Sequence, residues 1–233
     1  MRFSLVDLLT IPSERDKQRS VGASDICDPC NRCLADALYG VKNESEYDMG
    51  AKVGTAVHLL IESEIEKHHP TFQPETRVVV GHIDGYGPIT STSDLYIPEE
   101  RRVCDWKTTV VQGGKMDKLV SDLADWEWLL AHPDIAVDQG SGKALSYLVQ
   151  THLYAKGVED AGNPVEKITI GVIARDGKKI KEHVREVTFP YNPRVPEVWL
   201  GRAQALWDWL DKDDGDPETL DSAPNCFVCD MVR

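Results

Sequence analysis

Two charged residues near the middle of the sequence have the types and spacing needed for metal-assisted hydrolysis. Asp105 and Lys107 lie in RRVCDWKT (101–108), which has the composition of a β-strand. Side chains alternate along a strand, so these two share one face and Trp106 points to the other. Burying such a pair is costly unless both charges have partners. D-x-K alone, however, is a common tripeptide and more often marks a salt bridge on an exposed hairpin.

A second carboxylate is expected beside this pair. Asp94 lies in TSTSDLYI (90–97), and the turn residues 98–100 separate this strand from the next, so the two strands should form a hairpin. Two carboxylates and one ammonium group would then converge. Carboxylates bind Mg²⁺ or Mn²⁺, a bound ion activates water, and a lysine stabilises the developing charge. This combination suits phosphodiester hydrolysis.

The cysteines indicate a second metal site. Five of the six form two clusters, CxxCxxC and CxxC: Cys27, Cys30, Cys33, Cys226 and Cys229. In a reducing compartment such clusters favour metal over disulfides. Four thiolates can hold a structural Zn²⁺ or a [4Fe–4S] cluster, and spacing alone does not separate them. Cys104, on the strand face opposite Asp105, is interpreted as a packing residue.

The elements that must position these residues follow a mixed-sheet α/β pattern. Turn signals and periodicity predict strands at 77–81, 90–97, 101–108, 167–174 and 183–189. Helices are predicted at 24–39, 51–69, 116–131, 144–160 and 194–212. In the second helix, Val53, Val57, Leu60, Ile61 and Ile65 recur at helical spacing. We expect one domain over residues 1–233.

Composition limits the class of protein. The 233 residues are 41% hydrophobic and 28% charged, which is ordinary for a globular protein. With no apolar run long enough to span a bilayer and no secretory signal, a cytoplasmic protein without membrane association is expected. The net charge of −13 counts against a nucleic-acid partner. A metal-binding site must itself be acidic, however, and basic residues such as Arg101 and Arg102 gather locally.

Four motifs in order resemble the RecB-like branch of the PD-(D/E)xK nuclease superfamily. Residues 54–58 (GTAVH) resemble its GxxxH helix, and Ser93-Asp94 resembles its first acidic motif. Residues 105–108 (DWKT) resemble its D-x-K-T motif, and residues 150–154 (QTHLY) its QxxxY helix. Each motif is weak alone, but four in family order are fairly specific. The resemblance covers about residues 20 to 190 and implies a restriction-endonuclease-like central mixed sheet flanked by helices.

The resemblance implies a role for each matching position. His58, Asp94, Asp105 and the backbone carbonyl of Trp106 would bind the metal, and Lys107 would be the catalytic lysine. Asp94 and Asp105 would therefore be catalytic as well. Two further positions would support the site and contact DNA from one helix face: Gln150 and Tyr154. Glu62, one turn after His58, is either an outer-shell carboxylate or a plain helix-surface residue.

Part of this branch, including AddB-type helicase–nuclease subunits and CRISPR adaptation nucleases, carries an iron–sulfur cluster. There one cysteine precedes the nuclease motifs and three follow, whereas this sequence has three before and two after. Cys30 and Cys33 would pair with Cys226 and Cys229, leaving Cys27 as a substitute. These four cysteines would form a clamp, a metal site that joins segments 24–40 and 220–233. The resemblance favours [4Fe–4S], with structural Zn²⁺ as the alternative.

The first functional hypothesis is a Mg²⁺- or Mn²⁺-dependent exonuclease that degrades DNA from an end. The family analogy favours single-stranded DNA and 5′ to 3′ polarity. Without a P-loop, the chain would act alone, as an oligomer, or beside a helicase or recombination partner in DNA repair. A catalytically silent module that binds DNA ends or a partner is the alternative. It predicts that one or more of Asp94, Asp105 and Lys107 has been replaced, whereas all three are present. A redox or regulatory protein would explain only the cysteines.

Overall fold

Five strands form one mixed sheet in this computed structural model, which describes residues 20–41, 49–212, 215–224, 226 and 229. The strands are β1 (Gln73–Ile83), β2 (Gly87–Ile97), β3 (Arg102–Thr109), β4 (Lys167–Ala174) and β5 (Val184–Pro190). They lie side by side in chain order, and only β3 and β4 are parallel. The predicted α/β class with a central mixed sheet is confirmed.

Helices flank this sheet on both faces. They are α1 (Ala23–Ile26), α2 (Asn31–Tyr39), α3 (Met49–His68), α4 (Lys115–Ala124), α5 (Trp126–Ala131), α6 (Pro133–Asp138), α7 (Gly142–Asp160), α8 (Ile180–His183) and α9 (Arg194–Lys212). Most of α7 is buried, and it packs against β1, β3 and β4 as well as α9. The main hydrophobic core therefore lies on the α7 side of the sheet.

A smaller apolar cluster covers the opposite face of β2 and β3. It contains Ile65 of α3 with Leu95, Ile97 and Cys104, and Trp106 packs against it. The residues between them in sequence, such as Tyr96 and Val103, belong to the main core. This alternation separates the two faces of β3, as predicted, and Cys104 is a packing residue.

The β2–β3 hairpin is confirmed, with a single 3₁₀ turn at Pro98–Glu100 connecting antiparallel strands. The prediction of one continuous helix at 24–39 is wrong, because the residues between α1 and α2 are not helical. Pro29 explains the break, since its ring lacks a backbone N–H and disfavours the helical conformation of the residue before it. The helix predicted at 116–131 likewise breaks, at Asp125, and α6 was not predicted.

Helix α3 packs on the sheet through only part of the expected apolar stripe. Val53 and Leu60 are exposed, whereas Ile61 and Ile65 pack on the sheet. Gly54 lies close enough to β3 that an added Cβ would approach Thr108 Oγ1 to 3.3 Å. The glycine thus allows the helix to approach the D-x-K-T strand.

Among the described residues, no helix combines the length and apolar composition needed to cross a bilayer. Segment 24–40 of the predicted cysteine clamp is fully described. Of segment 220–233, the structure describes residues 220–224, 226 and 229, and the other positions lie outside the described residues. The expectation of one domain over 1–233 stays a prediction.

Candidate active site and a four-cysteine centre

The predicted charged residues line one cleft of about 580 Å³, at the side of the sheet that α7 covers. Strand β3 supplies Asp105 and Lys107, and β2 supplies Asp94. Lys107 Nζ lies 2.9 Å from Asp105 Oδ2, so the two side chains do share a face. Asp105 is 1% exposed. The pair is therefore not the exposed surface salt bridge that D-x-K alone would allow.

Asp94 is tied to β3 and to α3. Its Oδ2 accepts a hydrogen bond from the Trp106 backbone N–H at 2.8 Å, and its Oδ1 lies 3.4 Å from His58 Nδ1. His58 Nε2 lies 3.0 Å from the Trp106 carbonyl oxygen, to which it can only donate. The structure thus brings together His58, Asp94 and the Trp106 carbonyl.

A second acidic residue, Glu75, lies beside His58 and Asp94 and was missed in the sequence. One ligand atom each from His58, Glu75 and Asp94 lies within 4.8 Å of the others. The β1–β2 register pairs Pro74 with Leu95 and Thr76 with Ser93, which places Glu75 opposite Asp94. The predicted strand began only at residue 77, so Glu75 was outside it. An acidic residue just before that strand was the available signal.

The donor atoms of this cluster fit a divalent cation. Among the described residues, His58 Nδ1 is buried without a hydrogen-bond partner, although it faces the Asp94 carboxylate. If Nε2 carries the ring proton, a lone pair of Nδ1 faces a negative oxygen, which is unfavourable unless a cation or a second proton intervenes. Imidazole and carboxylate ligands suit Mn²⁺ or Mg²⁺. His58, Glu75 and Asp94 could therefore hold such an ion, with Asp105 nearby.

Charge interactions shift the pKa values in this cleft. Burial alone would lower the pKa of His58, but Asp94 outweighs it and raises the pKa. Burial opposes ionisation of Asp94 too, yet His58 and the Trp106 N–H lower its pKa below the usual range. For Lys107, burial is outweighed by Asp105 and Asp94, which raise its pKa. Burial raises the pKa of Asp105 to about 7, against the opposing effect of Lys107.

Helix α7 holds Lys107 from the other side. Lys107 Nζ donates to Gln150 Oε1 at 2.6 Å, and Gln150 Nε2 donates to the Tyr154 hydroxyl at 2.7 Å. The ammonium also lies 4.8 Å from the centre of the Tyr147 ring, within cation–π distance. Gln150 and Tyr154 therefore meet the D-x-K strand, whereas Glu62 is half-buried and does not line the cleft.

Four cysteines form a second centre that joins the α2 region to the C-terminal segment. Cys30 Sγ lies 3.8 Å from Cys229 Sγ, and Cys33 Sγ lies 3.4 Å from Cys226 Sγ and 3.5 Å from Cys229 Sγ. A hydrogen bond from Cys33 lowers the pKa of Cys30 to about 4. Cys27 stays outside this group, and burial raises the pKa of its thiol. The four sulfurs can hold zinc or an iron–sulfur cluster.

Comparisons with known proteins agree on the fold. The chain matches no protein-family model and no curated protein sequence. A candidate exonuclease from Eubacterium rectale is similar at 12% identity and a TM-score of 0.53, over 100% of this chain and 94% of that one. A phage-related exonuclease from Haemophilus somnus 129PT is similar at 12% identity and a TM-score of 0.51, over 87% and 100% of the two chains. The chain therefore shares the fold of two structures described as exonucleases.

Proposed function

We propose that this protein is a Mg²⁺- or Mn²⁺-dependent deoxyribonuclease that degrades DNA from its ends. The observation that carries the proposal is the convergence of Asp94, Asp105 and Lys107 in one cleft, with His58 beside them. A largely buried lysine paired with a buried carboxylate has little use in folding, because removing two charges from water costs free energy that their attraction only partly returns. Hydrolysis of a phosphodiester supplies a reason for the arrangement.

The acidity of the cleft supports a requirement for divalent cations. Asp25, Asp94 and Asp105 line it, and Lys107 is the cation among the described lining residues. A phosphodiester would be repelled from such a surface unless a cation offsets the negative charge. His58, Glu75 and Asp94 would hold the metal, with Asp105 as the further ligand that the resemblance implies, and the metal would supply Lewis-acid stabilisation and a more acidic bound water.

Lys107 would act on the phosphate directly. Its pKa is raised by the neighbouring carboxylates, so the amine stays charged at neutral pH. The hydrogen bonds with Asp105 and Gln150 fix the direction of its Nζ atom before substrate arrives. A preorganised ammonium of this kind stabilises negative charge on a phosphate oxygen as the bond breaks. Gln150 is then a positioning residue, and Tyr154 orients Gln150 in turn.

The substrate preference rests on the RecB-like resemblance and on the exonuclease fold. We favour single-stranded DNA over duplex DNA as the substrate, with digestion in the 5′ to 3′ direction. A separate helicase or recombination protein would supply the single strands, and the reaction would take place in the cytoplasm. The chain would work alone or as an oligomer.

The test is a digestion assay with Mg²⁺ or Mn²⁺ on single- and double-stranded DNA labelled at either the 5′ or the 3′ end. We expect shortening from one end, dependent on the added cation. Circular single-stranded DNA is the matched substrate without ends, and it should resist. Cutting of the circle would show an endonuclease instead and would refute the exonuclease assignment.

The variants Asp105→Asn and Lys107→Ala test whether these two residues take part in DNA digestion. Each should lower the rate by about 100-fold or more, the usual effect of removing a group that stabilises a transition state. Asp208→Asn and Lys67→Ala remove charges from exposed ion pairs outside the cleft and should retain full activity. Digestion at the normal rate by both cleft variants would exclude the proposed site. Binding of DNA ends without digestion by the native protein would favour the silent module.

A further inference from the structure

The four-cysteine centre has a geometry that distinguishes between its two candidate occupants. We propose that Cys30, Cys33, Cys226 and Cys229 bind one Zn²⁺ ion in a tetrahedral site, rather than the [4Fe–4S] cluster that the RecB-like resemblance implies. The proposal concerns structure and metal content, and it does not depend on nuclease activity.

The distances between sulfur atoms carry this choice. Three Sγ–Sγ distances are 3.4, 3.5 and 3.8 Å, and all four sulfurs lie within 4.8 Å of one another. Four thiolates that share one Zn²⁺ at about 2.3 Å occupy the corners of a tetrahedron with edges of about 3.8 Å. In a [4Fe–4S] cluster each cysteine binds a different iron at a corner of the cube, so its sulfurs lie much farther apart. The observed spacing fits a single ion.

The local backbone holds Cys30 and Cys33 in this narrow arrangement. Pro29 ends the first helical stretch, Cys30 is the N-cap residue of α2, and Cys33 lies in its first turn. The positive end of a helix favours thiolates at these positions. The backbone N–H of Ala223 donates to Cys30 Sγ at 3.4 Å, which brings the C-terminal segment against α2. Opening the site to fit a cube of iron and sulfide would separate these contacts.

The fifth clustered cysteine has a different environment. Cys27 Sγ donates to the Ser24 carbonyl oxygen at 3.3 Å, and its side chain belongs to the main hydrophobic core. It therefore serves as an internal control for a buried cysteine that does not bind metal. Between zinc and a single iron, an ordinary tetrathiolate site binds Zn²⁺ more tightly than Fe²⁺.

The experiment measures the metal content of the whole chain, produced with both iron and zinc in the medium and purified without oxygen so that a labile cluster survives. We expect one zinc per chain, no acid-labile sulfide and a colourless protein. Replacing zinc with Co²⁺ should give the intense visible bands of tetrahedral cobalt thiolate. Iron in excess of zinc, with sulfide or without it, would overturn the proposal.

Variants assign the ligands. Cys33→Ala and Cys226→Ala should each lose most of the bound zinc, whereas Cys27→Ala should keep one equivalent. Retention of a full equivalent by both ligand variants, or its loss from Cys27→Ala in a protein that remains folded by circular dichroism, would contradict the assignment. The metal content of the unsubstituted chain tests the proposal even if a ligand variant fails to fold.

Discussion

A non-glycine residue inside a strand rarely has a positive φ, and Glu75 has a φ of 45° in β1. Such a conformation costs of order 1–3 kcal/mol and persists where the surrounding structure enforces it, commonly at functional sites. One ligand atom of Glu75 lies within 4.8 Å of ligand atoms of His58 and Asp94. The residue with the strained backbone is therefore also a candidate metal ligand, which supports a role for Glu75 in cation binding.

Glu75→Gln should raise the Mn²⁺ concentration needed for half-maximal DNA digestion by roughly 10-fold or more, since the amide keeps the shape but loses the charge that attracts the cation. A titration of rate against Mn²⁺ measures the shift. Glu66→Gln, on the exposed face of α3, is the control and should leave the titration unchanged. An identical Mn²⁺ requirement in both variants would exclude Glu75 as a ligand.

At the scale of elements, the parallel pairing of β3 with β4 positions the strand that carries Asp105 and Lys107. Trp106 pairs with Gly171 in this register, and a Cβ at Gly171 would lie 2.4 Å from Trp106 Cε3. The indole ring cannot move away easily, because it packs on the small apolar cluster. Gly171 thus gives room to a residue whose backbone contacts both His58 and Asp94.

Gly171→Ala should lower the free energy of unfolding by about 1–3 kcal/mol, the usual cost of overpacking a closely packed position. Gly201→Ala in α9 is the matched control. Nothing lies within 4 Å of a Cβ there, so alanine should stabilise the helix by up to about 1 kcal/mol. Urea denaturation of both variants gives the two values. Equal stability of Gly171→Ala and the unsubstituted protein would show that the ring moves without cost.

Elements are predictable from the sequence where the pattern of apolar residues and the turn residues match the faces that the folded protein buries. The β2–β3 hairpin is recognisable because strand alternation and a proline-containing turn indicate the same structure, and α9 is long and amphipathic. The packing face of α3 was not predictable, because Gly54 and His58 face β3 for reasons of close approach and chemistry while Leu60 is left exposed. Glu75 was missed because β1 begins before its apolar residues.

The molecule as a whole is organised around α7, which contributes to the core and to the site. Leu148 and Leu153 are completely buried, while Gln150 and Tyr154 reach Lys107 and the cleft. His152 lies on the same helix, fully buried, and donates from Nδ1 to the Leu148 carbonyl oxygen at 2.8 Å. Any change in the charge of this histidine therefore affects the centre of the structure.

Acid should destabilise the protein through His152. Burial lowers the pKa of its imidazole from 6.5 to about 4, so the unfolded chain takes up a proton at a higher pH than the folded one. The stabilisation is complete above pH 6.5 and declines as the pH falls towards 4. Between pH 6.5 and 5 this amounts to about 2 kcal/mol.

His152→Gln should therefore lose less unfolding free energy than the unsubstituted protein when the pH falls from 7 to 5. Urea titrations at the two pH values provide the comparison. The same loss in His152→Gln as in the unsubstituted protein would contradict the role of this histidine.

The parallel pairing of β3 with β4 affects the order in which the described strands fold. Strands β1 to β3 are neighbours in sequence and can form a meander early, since closing short loops costs little entropy. Pairing of β3 with β4 must wait until residues 110–166 have folded across the sheet, and such long-range contacts slow folding. Lys107 meets Gln150 only after that crossover docks. We therefore expect the candidate active site to be among the last parts of the chain to form, later than the strands that bear Asp94 and Asp105.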